Sequence, residues 1–338
     1  MKVMGADSVK VWGPGDEVPH PVGSEPGWQE SVVLQWFDKD CGVGGSHRIS
    51  HEPNTDGGVV WGKADILTMD GWYFKRFDRM PIRPQDRYAN GFGSGYDDYR
   101  FVFDGSVCRY TLKNEHVFAD LAVTDHHPPI SNIPPRKGSM NEDYFPNHTE
   151  AAGRVTGIVE IKGKRYEVDG VGYRDHSWGN REWGTLKSHR WVCGILGPDY
   201  SFNAFTFHTK NGQLATMGYV ICKDTMIFAR EVDVVTFVEI DGFSHRGGWV
   251  RMVLGNGEAV EYNCTPICKG TANYFHETTN LDTFCTVSGG DGGAGVCVFE
   301  TTTNPTCGIE PPTNLVNAVI ESGLVAVEQP RYLFPRFK

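Results

Sequence analysis

The chain has 338 residues, enough for about two domains of ordinary size. With 32 basic against 42 acidic residues the net charge is −10, which argues against a phosphate-neutralising surface, so nucleic acid is not an expected partner. Hydrophobic residues at 39%, 41 Gly, 19 Pro and aromatics at 12% describe a β-rich globular protein with many turns, and no run approaches the roughly 20 apolar residues of a membrane span.

The first residues, MKVMGADSVKVWGPGDEVP, reach a Gly/Pro/Asp cluster before an apolar leader could form, so a cytoplasmic chain is expected. Its nine cysteines are then expected to be mostly free, buried thiols. Trp61, Trp72, Tyr73 and Phe74 read as barrel core, and Gly93-Ser94-Gly95 as a turn. A first pair of strands is expected over Tyr99–Lys113. The stretch Asp125–Thr149 holds five prolines and no periodicity, and reads as a connection between an N-terminal lobe, 1–145, and a C-terminal lobe, 146–338. Three hairpins follow, Val155–Val168 about Lys162-Gly163 and two more about Asn211-Gly212 and Asn256-Gly257, because such pairs accept the positive φ of a type I′ turn. Ile227–Ile240 reads as a similar pair of strands. Pro311-Pro312-Thr313, the spacing of LVNAVIES and Gly323 predict one short C-terminal helix.

The densest chemistry lies in Gly170–Gly184, GVGYRDHSWGNREWG, which brings Tyr173, Arg174, Asp175, His176, Trp178, Arg181, Glu182 and Trp183 together. Exposed Trp is uncommon, and buried Asp, His and Arg must each find partners, so this is more than a solvated strand end. On a strand, Tyr173, Asp175 and Ser177 share one face and Arg174, His176 and Trp178 the other, so one triplet can line a cavity while the other braces the wall.

Gly172-Tyr173-Arg174-Asp175-His176-Ser177-Trp178-Gly179, followed by Arg181 and Trp183, and preceded by His148–Gly153 and the Val155–Val168 hairpin, resembles the hydroxyneurosporene synthase (carotenoid 1,2-hydratase) and AttH-like family. That resemblance implies an all-β fold of two calycin or lipocalin-like antiparallel β-barrel lobes, with the GYRDHSWG motif in the C-terminal one. It also implies cofactor-independent acid–base chemistry at a C=C bond of a lipophilic terpenoid-like or aryl-alkene molecule: hydration, dehydration, isomerisation or cyclisation. The family's catalytic acid falls on Asp175, its aromatic on Tyr173 and its upstream His on His148, with His176 beside them. Where the family has Trp two residues after that His, Glu150 stands here. Trp178 and Trp183 would then supply the cation-stabilising rings and, with Arg174 and Arg181, the substrate-binding set. The other reading is a lipocalin-like carrier that binds such a ligand unchanged.

Protonating an isolated C=C near pH 7 needs a carboxylic acid raised above the roughly 3.9 of free Asp, as burial against apolar walls would do. An ion pair of Asp175 with Arg174 or Arg181 would act the opposite way, and the residues leave that alternative open. No H-E-x-x-H or C-x-x-C spacing is present, so neither metal nor cofactor is expected. The expected partner is a hydrophobic small molecule, with homodimerisation left open.

Overall fold

The computed structural model describes residues 1–5, 11–13, 16–71, 73–105, 107–131, 147–239, 245–268, 270–276, 278–290 and 293–304. Strand makes up 72% against 3% helix, and among the described residues no helix reaches 7 residues, which bears out the all-β expectation. The helix expected beyond Pro311, Trp72 and Cys307 lie outside the described residues. The other eight cysteines are free thiols.

Contacts divide the chain into residues 8–181 and residues 1–7 with 182–338. A short strand, β1 (Lys2–Met4), belongs to the second unit. The first unit is one antiparallel sheet of β2 (Trp28–Asp38), β3 (Val43–Glu52), β4 (Val59–Thr68), β5 (Tyr73–Pro81), β6 (Arg87–Tyr88), β7 (Gly91–Gly93), β8 (Tyr99–Asp104), β9 (Val107–Lys113), β10 (Val117–Asp125), β11 (Asn147–Ile161) and β12 (Lys164–Asn180). Its order is β5-β4-β3-β2-β12-β11-β10-β9-β8-β7-β6. The sheet curls into a half-barrel, and residues 82–86 lead the chain from one edge strand to the other. Its core, with Leu34, Trp36, Ile49, Phe92, Tyr99, Phe101 and Tyr110, fills one face. His47 belongs to that core: it accepts a hydrogen bond from Trp36 Nε1 at 2.9 Å, stacks on Tyr110, and burial holds its pKa well below the usual value.

The second unit comprises β1 with β13 (Leu186–Gly197), β14 (Tyr200–Thr209), β15 (Leu214–Cys222), β16 (Thr225–Val238), β17 (His245–Leu254), β18 (Ala259–Pro266), β19 (Thr271–Phe275), β20 (Thr278–Gly289) and β21 (Gly293–Thr303). Because β16 pairs with both β15 and β17, eight of these strands close into a barrel, packed inside with Phe202, Met252, Tyr262 and Phe299. Among the described residues only this lobe is closed by backbone pairing.

Three expectations need correction. The division lies at 181/182 and not at 145/146, because the hairpin after the Pro-rich stretch does not start a new lobe: β11 pairs with β10 and β12 with β2, at the centre of the N-terminal sheet. Ile227–Ile240 is not a strand pair either, since Thr225–Val238 runs unbroken as β16. The hairpin about Lys162-Gly163 has the expected two-residue turn, with φ of 50° and 82°. At Asn211-Gly212 and Asn256-Gly257 only the glycines have positive φ, 79° and 90°, so these loops are longer and not type I′.

Candidate active site

β12 carries the GYRDHSWG segment and is hydrogen-bonded on both sides, to β11 and to β2. Gly172 permits the close packing just before the segment's polar residues: a Cβ there would lie 2.7 Å from Val155 Cγ2 and 3.0 Å from Trp36 Cβ. The two-residue period then separates the side chains onto opposite faces.

One face holds Tyr173, Asp175 and Ser177. Opposite them on β11 stand Ala152, Glu150 and His148, and on β2 Gln35, Val33 and Ser31. Arg48 of β3 stands opposite Val33 in the same row. Tyr173 donates its hydroxyl to Glu150 Oε2 at 3.3 Å, and His148 Nε2 lies 3.0 Å from Glu150 Oε1, so the carboxylate accepts from both. Ser31 and Ser177 are bonded through their hydroxyls at 3.0 Å, and Arg48 Nη2 donates to Ser31 at 3.3 Å. Glu150 and Tyr173 are fully buried and His148 nearly so.

Asp175 differs from all of these. Its Oδ1 is shielded from solvent and makes no hydrogen bond, and among the described residues no ion pair reaches it. Burial raises its pKa above the ordinary Asp value; the Glu150 charge adds to the rise, while His148, Arg48 and Arg181 oppose it without cancelling it.

The second face holds Arg174, His176 and Trp178. Arg174 is clamped by Asp125, with Nε to Oδ1 at 2.8 Å, and by a second, shorter ion pair to Glu17, which also accepts from Thr149 at 3.0 Å. His176 Nε2 lies 3.1 Å from Glu30 Oε1; His20 Nδ1 lies 2.7 Å from the same oxygen, and Arg87 Nη2 lies 2.8 Å from Glu30 Oε2. Burial would push the Glu30 carboxyl up, but hydrogen bonds from His176 and His20 and the charges of His176 and Arg87 bring it down to about 2. Trp178 stacks on His20, centroids 3.7 Å apart, and meets Trp12 edge-on at 4.9 Å.

The motif therefore divides. Asp175, Tyr173 and His148 come together, whereas His176, Arg174 and Trp178 occupy the opposite face of the sheet, and Arg174 has its own carboxylates and no bond to Asp175. Arg181 donates its backbone N–H to Gly27 O at 3.1 Å and reaches Asp175 only through its charge. Trp183 lies in the other unit, stacked on His276 and edge-on to Phe275. Sequence reading missed Glu150 as a hydrogen-bonding centre, and missed Arg48, Ser31, Glu17, Glu30 and Arg87, whose partners are distant in the chain.

The ligand atoms of His20, Glu30 and His176 lie within 4.8 Å of one another, a spacing that could hold a metal ion. The donor set fits hydrogen bonding better. Glu30 already neutralises Arg87, and the buried Nδ1 of His176 has no outer partner, whereas metal-bound imidazoles usually donate their second N–H.

The chain belongs to the family described as a domain of unknown function, DUF7064, whose profile matches residues 13–305. No curated protein matches the sequence. Solved structures share the fold at low identity. Kievitone hydratase from Nectria haematococca is 12% identical, over 91% of this chain and 97% of that one, with a TM-score of 0.63. A Nitrosomonas europaea protein assigned as AttH is 13% identical, over 85% and 98%, at 0.61. CghA is 10% identical, over 88% and 98%, at 0.60. This likeness is one of fold and bears out the AttH-like side of the resemblance. Among the described residues no helix is long and apolar enough to cross a membrane.

Proposed function

We propose that this DUF7064 member is an acid–base enzyme that adds water to, removes it from, or shifts a C=C bond of a lipophilic small molecule, with Asp175 as the proton donor. The observation that carries the reading is the Asp175 carboxyl: shielded from solvent and hydrogen-bonded to nothing at Oδ1, and raised in pKa, it is a proton donor with no structural task. Elsewhere on this face, Glu150, Ser31 and Ser177 already hold hydrogen-bond partners. The name of kievitone hydratase, a structural relative, agrees with water chemistry at such a site.

In this reading Asp175 protonates the alkene carbon, or the leaving hydroxyl in the reverse direction, and the adjacent carbon becomes electron-poor. Tyr173, on the same face two residues away, supplies an aromatic ring and a hydroxyl beside that carbon, and His148 stands opposite Ser177, two residues to the other side of Asp175. Arg174, His176 and Trp178 keep β12 in place from behind. Proton transfer and water suffice for this chemistry, so no cofactor enters the scheme.

The test is product analysis by mass spectrometry in deuterated water, with terpenoid and aryl alkenes and their tertiary alcohols. The expected result is gain or loss of water, or deuterium uptake at one carbon, abolished by Asp175→Asn. Compounds bound and returned unchanged would make the protein a carrier. Turnover that survives Asp175→Asn would move the acid elsewhere.

A further inference from the structure

We infer that Glu150 is the second carboxylate of this site, a positioning residue that takes the proton of the reacting water through the Tyr173 hydroxyl while His148 holds it in place. The inference rests on the proposed acid role of Asp175 and adds the base that such a reaction needs. Its grounds are geometric. Glu150 faces Asp175 across adjacent strands, where Cα atoms lie about 4.5–5.5 Å apart. It accepts from Tyr173 at one oxygen and from His148 at the other. Because the Tyr173 proton lies on the bond to Glu150, a proton arriving at the Tyr173 oxygen can be matched by one leaving to Glu150 Oε2.

The step balances without a co-reactant. In hydration the Asp175 O–H bond breaks as the alkene π pair forms a C–H bond, leaving the neighbouring carbon electron-poor. A water lone pair forms the C–O bond; one water proton passes to the Tyr173 oxygen as the original Tyr173 proton passes to Glu150 Oε2. Asp175 ends as the anion and Glu150 as the acid, and proton exchange between them through solvent restores the start. Dehydration runs the same path backwards. The division matches a recurring pattern, in which two nearby carboxyls in unlike surroundings take the acid and the base role. Here one carboxyl makes no hydrogen bond at its buried oxygen and the other is bonded at both oxygens.

The groups facing Asp175 are Glu150 and His148 from β11, Arg48 from β3 and Arg181 after β12. Removing the Glu150 charge should therefore make Asp175 a stronger acid. The experiment uses the full chain and needs no ligand for its first readout: infrared titration of the protonated carboxyl band that disappears in Asp175→Asn. In Glu150→Gln its midpoint should fall, and in Glu150→Asp it should stay near that of the unaltered protein. An unmoved midpoint in a folded Glu150→Gln protein overturns the inference. The second readout uses whichever panel alkene or alcohol is turned over. Glu150→Gln should lower kcat at least about 10-fold with KM within about twofold, Glu150→Asp should recover part of the loss, and Glu150→Gln with Tyr173→Phe should be no slower than the slower single variant. If Asp175→Asn stops turnover and Glu150→Gln does not, the relay is wrong and the acid assignment stands. If neither substitution matters, both fail.

Discussion

Glu150 and Asp175 are register partners on β11 and β12, and they differ in one respect that decides their chemistry: Glu150 accepts hydrogen bonds at both carboxylate oxygens, whereas Asp175 Oδ1 accepts none. An unpartnered buried carboxylate is costly to ionise, and the cheapest remedy is to keep its proton. The pair thus places a carboxyl raised in pKa beside one held by two hydrogen bonds on one sheet face, with no other residue between them in the row.

The first consequence concerns Asp175→Asn. The amide keeps the shape of the protonated acid and removes the titratable proton. Turnover should fall at least about 10²-fold while the melting temperature holds or rises slightly, because no ion pair is broken. In the unaltered protein the raised pKa favours the folded state most at low pH, below the unfolded Asp value of 3.8, and that contribution fades as pH rises through the folded value. Activity should be lost over the same upper window. A melting curve and a rate–pH profile on one preparation check both; a large drop in melting temperature with normal activity per folded molecule would show that Asp175 is structural.

Much of this pairing was legible in the sequence. A two-residue turn at Lys162-Gly163 makes Ile161 the partner of Lys164, and an unbroken ladder then carries the count to Glu150 opposite Asp175. The same period of two separated Asp175 from Arg174 and His176. What stayed hidden was the company on each face. Glu17 and Glu30 reach β12 from segments up to 157 positions away in the chain, Arg87 in turn reaches Glu30, and no local spacing reports such pairs. The lobe boundary failed for a related reason: the prolines of Asp125–Thr149 mark a connection, but only the pairing of β12 with β2 shows that it lies within one sheet.

Arg174 should prove to be a brace and not a substrate ligand. It is buried between Asp125 and Glu17, and taking away the guanidinium leaves two buried carboxylates without their cation. Losses of about 3–5 kcal/mol accompany the breaking of such pairs. Arg174→Met should lower the chemical-denaturation midpoint strongly, while any folded fraction keeps its KM. A raised KM at unchanged stability would instead return Arg174 to the binding site.

Treatment of the full chain with a strong chelator should leave its melting temperature unchanged, and added zinc should not raise it. A ligand that binds only the folded state stabilises it by mass action, about 2.7 kcal/mol at a hundred times its Kd, so a metal held by His20, Glu30 and His176 would be visible in a thermal shift. A rise that disappears in His20→Ala would show that Arg87 does not keep the cation out.

Glu30 sets the acid limit of the fold. Its carboxyl stands at about 2 against an ordinary 4.5, despite burial, because His176, His20 and Arg87 all favour the anion. A depressed acid stabilises the folded state at pH above its unfolded value, and that contribution is withdrawn as pH falls from about 4.5 towards about 2. The size follows from the shift, of the order of 3 kcal/mol at neutral pH, since each pKa unit is worth about 1.4 kcal/mol. Glu30→Gln should therefore lose stability at pH 7 and flatten the decline between pH 4.5 and pH 2, because the group that titrates there is gone. Arg87→Met should act in the same direction but more weakly, as the two histidines still hold the carboxylate. Urea denaturation at a series of pH values measures all three proteins, and a Glu30→Gln curve parallel to that of the unaltered chain across this window would mean that another carboxylate governs acid unfolding.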